Sequence, residues 1–245
     1  MTTSLLRTEN FSRRFGGIQA VQECNISVPE GSITGLIGPN GSGKTTLFNL
    51  ITGVYSPDEG DAYFYDRPIT NLSPSQICHQ GLSRTFQITR LFWEMNVLEN
   101  MIVPVRQVGF RALLGPNMFR HEIDRAMDLL ERVGLTHLKD ERASKLSFGQ
   151  QKLLEFAAIL MAEPTMVLLD EPAGGVNPTM IRFIMDLIRE LNQKGVTFLV
   201  VEHNMGVVME LCNNVIVLDQ GTKIAEGTPD EVQANPAVLD AYLGN

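Results

Sequence analysis

The residues that could most clearly do chemistry occupy one stretch, Gly38 to Thr45, which reads Gly-Pro-Asn-Gly-Ser-Gly-Lys-Thr. Its spacing matches the pattern Gly-x4-Gly-Lys-Ser/Thr. Glycines let the backbone turn back, so that successive N–H groups can point at the oxygens of one anion. The stretch predicts a loop that binds the phosphates of a nucleoside triphosphate, and the alternative is a glycine-rich turn with no ligand. The predicted contacts come from Asn40, Gly41, Ser42, Gly43, Lys44 and Thr45.

The elements on either side of this loop favour phosphate binding. Residues 33–37 are an apolar run typical of a buried strand, and a helix is expected from Lys44 to about Ile51, with Gly53 as its C-terminal stop. The N-terminus of that helix would face the same anion. In this setting Lys44 is expected to reach the β- and γ-phosphates, and the Thr45 hydroxyl is expected to bind Mg²⁺.

Two carboxylates, Asp170 and Glu171, follow the apolar run 166–169. In an open α/β sheet, ligands bind at the carboxyl ends of the strands, where these side chains would emerge. One acid can hold Mg²⁺ and the other can polarise an attacking water. The pair could instead cap the next helix. Combined with an upstream phosphate loop, it predicts metal binding by Asp170 and catalysis by Glu171.

Two further polar residues lie where predicted elements end. His203 follows the apolar run 196–201 and could donate a hydrogen bond to a γ-phosphate or hold Glu171 in place. Gln87 lies where a strand-rich section gives way to a helical one, and its amide could bind Mg²⁺ and respond to the γ-phosphate. Alone, a histidine is more often structural or solvated, and Gln87 is one polar residue in a loop.

The segment Leu146–Gln150 reads Leu-Ser-Phe-Gly-Gln and precedes a helix expected to run to about Met161. Ser147, with Gln150 three residues later, has the pattern of a capping box. The segment could therefore be a helix start and nothing more. Alternatively, Ser147 and the first N–H groups of the helix form a second anion site, which this molecule's own nucleotide need not occupy.

The bulk composition is that of an acidic globular protein. The chain has 245 residues, of which 44% are hydrophobic, and its formal charge of −8 argues against nucleic acid as a partner. Cys24, Cys78 and Cys212 are scattered and predict neither a zinc site nor a disulfide framework. No apolar stretch is long enough to span a bilayer and the N-terminus lacks signal-peptide features, so a membrane role would depend on a partner.

The order of predicted elements divides the chain into a core and an insertion. Residues 1–85 and 165–245 are rich in short strands and are expected to form a catalytic core. Residues 86–164 are predicted to be mainly helical, with a helix over 121–134 and a loop or broken helix over 104–120. The expected fold class is α/β, with a mainly parallel sheet, an N-terminal antiparallel β region and an inserted α-helical subdomain.

Together these segments resemble the ATP-binding cassette of ABC transporters. The resemblance covers nearly the whole chain, and its Leu-Ser-x-Gly-Gln signature separates this family from other phosphate-loop ATPases. It implies a phosphate-loop NTPase core and an ATPase that converts ATP and water to ADP and phosphate, with ATP and Mg²⁺ as cofactors. The residues that carry it are 38–46, Gln87, Leu146–Gln150, Asp170, Glu171 and His203.

In that family two cassettes pair head to tail, and each ATP lies between the phosphate loop of one subunit and the signature of the other. The resemblance therefore implies that Ser147, Gly149 and Gln150 belong to the partner's ATP site. Phe15 falls where the family stacks an aromatic ring on adenine, although it could be a core or hairpin residue. Thr46 is expected near the α-phosphate.

Two positions depart from the commonest family pattern. Phe148 replaces the usual first glycine of the signature, as in some branches of the family. Asn177 stands where many cassettes have Asp, a change that could alter the communication between two ATP sites without abolishing hydrolysis.

The branch is indicated by the segments 84–87, 91–100, 201–205 and 226–244, which resemble cassettes of branched-chain amino acid importers. The resemblance implies an ATP-hydrolysing motor subunit whose partners are a second cassette, transmembrane permease subunits and, indirectly, a substrate-binding protein. It also implies a cytoplasmic location, peripheral on the inner face of the cell membrane through the permeases.

The cargo rests on this resemblance alone, because no cassette residue touches it. Alternatives are the cassette of a urea or amide importer, a lipopolysaccharide exporter or a soluble ABC ATPase. A further alternative is a phosphate-loop kinase, but such an enzyme would have no use for the segment Leu146–Gln150. Leu91, Phe92 and Trp93 are expected either to line a groove for a short permease helix or to pack in the core.

Overall fold

The computed structural model describes residues 4–85, 90–103 and 116–243. The strands are β1 (Ser4–Phe15), β2 (Ile18–Cys24), β3 (Ser27–Pro29), β4 (Ile33–Ile37), β5 (Glu59–Phe64), β6 (Arg67–Pro68), β7 (Leu82–Arg84), β8 (Met166–Asp170), β9 (Thr197–Val201), β10 (Asn214–Asp219) and β11 (Thr222–Gly227). The helices are α1 (Lys44–Ile51), α2 (Pro74–His79), α3 (Val97–Ile102), α4 (Pro116–Arg132), α5 (Phe148–Leu160), α6 (Pro178–Gln193), α7 (Met205–Leu211), α8 (Pro229–Gln233) and α9 (Pro236–Leu243).

A six-stranded sheet with the order β11-β10-β4-β9-β8-β7 forms the centre of the molecule. Neighbouring strands from β10 to β7 are parallel, and β11 pairs antiparallel with β10 at the edge. Every residue of β4, β8 and β9 is buried. Alternate residues of β8 enter two different cores, since Val167 packs with residues of α5 and α6 whereas Leu168 packs with residues of α1. The unbroken apolar runs are thus explained by cover on both faces.

The parallel register brings the carboxyl ends of three strands to the same edge of the sheet. Leu36 of β4 lies beside Val201 of β9, and Val201 lies beside Asp170 of β8. The loops that follow these strands begin with Gly38, Glu171 and Glu202. This edge is therefore where the predicted site residues converge.

The N-terminal region forms a second sheet with the order β2-β1-β5-β6, in which β3 also pairs with β1. Helix α1 packs in a core that the two sheets share. Its residue Phe48 is fully buried in one cluster with Phe64 of the antiparallel sheet and Leu36 of the parallel sheet. The predicted mainly parallel sheet and the N-terminal antiparallel region are both confirmed.

Helices α3, α4 and α5 form the helical section, which shares a core with the parallel sheet. Leu130 of α4 and Leu154 of α5 are fully buried in the same cluster as Leu169 of β8. The predicted loop or broken helix over 104–120 is wrong at its C-terminal end, because α4 already begins at Pro116. Proline is tolerated there because the N–H groups of the first helical turn have no intrahelical partner.

The remaining organisational predictions have different outcomes. Residues 104–115 lie outside the described part of the chain, and the assignment of 86–164 to a separate helical subdomain stays a prediction. Across the described ranges, none of the helices has both the length and the apolar character needed to cross a bilayer.

Candidate active site

The loop between β4 and α1 has a backbone that requires glycine. Gly38, Gly41 and Gly43 have φ angles of +150°, +80° and +100°. A Cβ atom on Gly38 would lie 2.0 Å from the carbonyl oxygen of Leu218, and one on Gly43 would lie 2.4 Å from that of Ala20. The loop is therefore packed directly against neighbouring backbone, which no larger residue would permit.

The N-terminus of α1 is suited to an anion. Its N-cap, Gly43, makes no side-chain capping hydrogen bond, and its first turn contains no acidic residue. The first N–H groups of the helix and the positive end of its dipole therefore face the loop without a competing side chain. Among the predicted ligands, Asn40, Gly41 and Thr45 are exposed and Thr46 is half-buried.

Lys44 places its ammonium group inside the loop. The side chain is buried, and Nζ donates hydrogen bonds to the carbonyl oxygens of Gly38 and Pro39, both at 2.8 Å, and to Ser42 Oγ at 3.3 Å. Burial lowers the pKa of Lys44, whereas the nearby carboxylates of Glu171 and Asp170 act to raise it. The loop thus concentrates a positive charge next to two acids.

A cleft of about 300 Å³ brings together many of the predicted residues. Four separate parts of the sequence contribute to it: the start of β2, the phosphate loop with the start of α1, the loop after β8 and the loop after β9. The lining residues are Ile18, Gln19, Ala20, Asn40, Gly41, Gly43, Lys44, Thr45, Thr46, Glu171 and His203.

Glu171 and His203 are paired at this cleft, with 3.0 Å between Glu171 Oε1 and His203 Nε2. Glu171 has a φ of +52°, which is unusual for a residue other than glycine. Such a conformation costs on the order of 1–3 kcal/mol and persists only when surrounding contacts hold it. Here its N–H donates to the Val201 carbonyl oxygen at 2.9 Å, and its carbonyl accepts from the Gly174 N–H at 3.0 Å.

Asp170 lies at the end of β8 and is bound to Arg84. Their side chains are 1% and 5% exposed, and Arg84 Nη2 donates to Asp170 Oδ2 at 2.8 Å. Arg84 also donates to Asn49 Oδ1 at 2.6 Å and to Thr52 Oγ1 at 3.3 Å. Burial lowers the pKa of this guanidinium, whereas Asp170 acts to raise it.

The other oxygen of Asp170 fits a divalent cation. Oδ1 is buried and has no hydrogen-bond partner among the described residues. An ionised carboxylate oxygen without a donor is costly in the interior, and hard cations such as Mg²⁺ prefer oxygen ligands of this kind. The Thr45 hydroxyl is exposed at the cleft. Gln87, the third predicted metal ligand, lies outside the described residues.

Glu202 is a buried carboxylate that the sequence interpretation missed. Its Oε1 accepts from the Ala173 N–H at 2.6 Å, and its Oε2 accepts from the N–H groups of His203 and Asn204 at 3.2 and 3.4 Å. Burial raises the pKa of Glu202 and these backbone donors act to lower it. Glu202 thus fixes the loop after Glu171 to the loop that carries His203.

The segment Leu146–Gln150 starts α5 with a capping box, as predicted. Ser147 Oγ accepts from the Gln150 N–H at 3.4 Å, and Gln150 Oε1 accepts from the Ser147 N–H at 2.9 Å. Ser147 is exposed, and neither it nor Gly149 lines the cleft of its own chain. The exposed ring of Phe148 lies against the loop after Glu171, since its nearest carbon would be 2.9 Å from a Cβ on Gly175.

Phe15 is 39% exposed, as a base-stacking residue requires, but it is not among the residues that line the cleft. Its ring packs edge-on against Tyr55 at 5.3 Å, and the Arg13 guanidinium lies 5.0 Å from its centre. Stacking on adenine therefore stays a prediction.

Comparison with known proteins agrees with this geometry. The sequence pattern described as "ABC transporter" matches residues 21–174, which include the phosphate loop, the Leu146–Gln150 segment and both carboxylates. The chain belongs to the ABC transporter family. A second pattern, described as "Branched-chain amino acid ATP-binding cassette transporter", matches residues 222–245 of this cassette.

Individual family members resemble the cassette along its length. The high-affinity branched-chain amino acid transport ATP-binding protein LivG of Salmonella typhimurium is 42% identical over 100% of this chain and 99% of its own. A solved ABC cassette in its ADP conformation superposes with a TM-score of 0.87 and 38% identity, over 100% of both chains. A dimeric post-hydrolysis cassette bound to ADP and Pi gives 0.80 and 25%, over 91% of this chain and 98% of that one. The predicted fold and ATPase activity are thereby confirmed.

We expect Arg84→Met to lower the free energy of unfolding by about 3–5 kcal/mol, because it leaves the buried Asp170 carboxylate without its positive partner. Urea denaturation of the nucleotide-free protein measures the change. Arg142→Met removes an exposed ion pair with Glu94 and is expected to cost less than about 1 kcal/mol. Equal losses in the two variants would contradict a special role for the buried pair.

Proposed function

We propose that this cassette is the ATP-hydrolysing subunit of an importer of branched-chain amino acids. The observation that carries the catalytic part is the single cleft in which Lys44, Thr45, Glu171 and His203 meet. The cargo is supported by the names of the relatives and by the match of residues 222–245 to the branched-chain amino acid pattern.

The proposed reaction is hydrolysis of ATP to ADP and phosphate. The phosphates of ATP lie on the N–H groups of the loop and α1, and the Lys44 ammonium stabilises the charge of the β- and γ-phosphates. Glu171 accepts a proton from the attacking water. His203 holds the Glu171 carboxylate through Nε2. Mg²⁺, held by Thr45, Asp170 and Gln87, would stabilise developing negative charge.

Glu171→Gln should slow ATP hydrolysis by about 10²–10⁴-fold and leave ATP binding intact, because the amide cannot act as the base. Phosphate release and the dissociation constant of ATP are measured on the purified chain. Glu190→Gln, an exposed glutamate of α6, is the control and should hydrolyse at the wild-type rate. Unchanged turnover in Glu171→Gln would remove Glu171 from the proposed role.

We further propose that two cassettes pair when ATP binds, with Ser147, Gly149 and Gln150 contributing to the partner's ATP site. Support comes from the exposure of Ser147 at the start of α5 and from its absence among the residues that line its own cleft. A γ-phosphate bound by the Lys44 of one subunit and the Ser147 of the other favours the closed pair. Loss of that phosphate on hydrolysis shifts the population back to the open form.

Ser147→Ala should weaken ATP-driven dimerisation and leave ATP binding by the monomer nearly unchanged. Ser73→Ala is a matched control, because Ser73 forms the same kind of capping box at the start of α2. Both variants lose a helix cap worth about 1 kcal/mol, so that only the dimerisation assay should separate them. Analytical ultracentrifugation with Mg-ATP in a Glu171→Gln background is the measurement. Loss of monomer binding in Ser147→Ala would contradict a site completed by the partner.

The sequence predicted a permease-binding surface formed by Leu91, Phe92 and Trp93, and only part of it is exposed. Leu91 is buried in the core, so its assignment to the groove is wrong, whereas Phe92, Trp93 and Met95 are 51%, 42% and 38% exposed. Such neighbouring exposed apolar side chains favour a protein partner. We propose that this patch binds a permease subunit and thereby holds the cassette at the inner face of the membrane.

Trp93→Ala should reduce co-purification with the two permease subunits and leave ATP binding by the isolated chain unchanged, because it removes apolar contact area from the patch alone. Tyr65→Ala removes a similarly exposed aromatic ring from the turn between β5 and β6 and should co-purify like the wild type. In the reconstituted complex, a binding protein loaded with a branched-chain amino acid should stimulate hydrolysis. Stimulation by urea instead would refute the proposed cargo.

A further inference from the structure

Lys152 joins α5, the signature helix that begins within Leu146–Gln150, to the backbone of Glu171, the proposed catalytic base. It lies on α5, five residues after Ser147, and its side chain is half-buried. Its Nζ donates to the carbonyl oxygen of Glu171 at 2.7 Å. The two residues belong to different elements and are brought together only by the fold.

The surroundings of Lys152 hold the ammonium group in this place. Burial lowers the pKa of Lys152, and the neighbouring carboxylates of Glu202, Glu155, Glu171 and Asp170 offset part of this shift. Nζ lies 5.4 Å from the centre of the Phe148 ring. Lys152 also lines a small cavity of about 20 Å³, together with Glu155 and Asp170. A charged donor so enclosed has little freedom to leave the Glu171 carbonyl.

The bond matters because the Glu171 backbone is in the left-handed region. The hydrogen bonds of its peptide groups include three, to Val201 of β9, to Gly174 of its own loop and to Lys152 of α5. The direction in which the Glu171 side chain leaves the backbone depends on this conformation. Lys152 makes the only one of the three that comes from a side chain and from the signature helix.

We propose that Lys152 is a positioning residue that sets the orientation of Glu171 according to the position of the signature helix. The inference rests on the role proposed above for Glu171. The N-terminus of α5 serves the partner's nucleotide, and Lys152 serves the base of this chain's own site. A displacement of the helix on binding the partner's ATP would therefore be transmitted to Glu171 through this hydrogen bond.

Lys152→Met keeps the apolar stem and removes the donor, whereas Lys152→Arg keeps a charged donor. We expect Lys152→Met to lower kcat by about 10- to 100-fold, the range that a small misplacement of a catalytic group produces, with the dissociation constant of ATP changed less than about twofold. Lys152→Arg should recover most of the loss. Lys194→Met, at the exposed end of α6, is the matched control.

The decisive measurement is a double variant. If Lys152 acts through Glu171, adding Lys152→Met to Glu171→Gln should cause no further loss of kcat and no loss of ATP-driven dimerisation. A general structural role would instead multiply the two losses and weaken the dimer. Either that result or wild-type turnover in Lys152→Met would overturn the proposal.

A second variant covers the case in which Lys152→Met does not fold. Lys152→Gln retains a shorter neutral donor and should give an intermediate kcat in the same two backgrounds, and wild-type turnover in it would overturn the proposal. Full activity in Glu171→Gln alone would show that the proposed role of Glu171 is at fault, and the proposal for Lys152 would fall with it. If Glu171→Gln loses hydrolysis as expected while Lys152→Met turns over at the wild-type rate, only the proposal for Lys152 is overturned.

Discussion

The left-handed backbone of Glu171 is the constraint on which the rest of the site depends. A non-glycine residue stays in this conformation only where several contacts fix it, and here they come from β9, from the loop itself and from α5. The parallel sheet supplies the first contact, and the helical section supplies the last. The backbone conformation of Glu171 therefore depends on how the parallel sheet and the helical section are placed relative to each other.

The buried charges around Glu171 follow a common physical rule. Removing a charge from water is expensive unless hydrogen bonds or an opposite charge compensate it. Lys44 is compensated by carbonyl oxygens, Glu202 by backbone N–H groups, and Asp170 on one side by Arg84. In this set of charged groups, Asp170 Oδ1 is buried and has no hydrogen-bond partner among the described residues. The imbalance is thus confined to one oxygen at the edge where the substrate phosphates are proposed to bind.

Local patterns made much of this molecule predictable from the sequence. The loop 38–45, the capping box at Ser147 and the strand ending in Asp170 are each specified by a few consecutive residues, and each lies in the predicted element. Parallel strands then place their carboxyl ends together, which is why His203 and Glu171 could be expected to meet.

The contacts that the sequence did not reveal join distant residues. Arg84 and Asp170 are 86 positions apart, and Lys152 and Glu171 are 19 apart. A lone arginine after a strand or a lysine within a helix is usually solvated, so no spacing rule singles them out. For Glu202, a signal was available in the sequence: it is adjacent to His203 at the end of a buried strand, where a site residue is expected. Similarly, the run from Leu91 to Trp93 does not show which of its side chains points inwards.

The contact between Phe148 and Gly175 constrains how this protein can change over time. The ring occupies the space that a side chain at position 175 would need, and Gly175 itself has a φ of +72°. An aromatic residue at 148 therefore adds a steric reason for glycine at 175 to the conformational one, and a smaller residue at 148 would remove only the steric one. A larger residue at 175 should thus be tolerated less well beside Phe148 than beside a smaller residue, and chimeras that bring an aromatic signature residue against it would carry a steric mismatch.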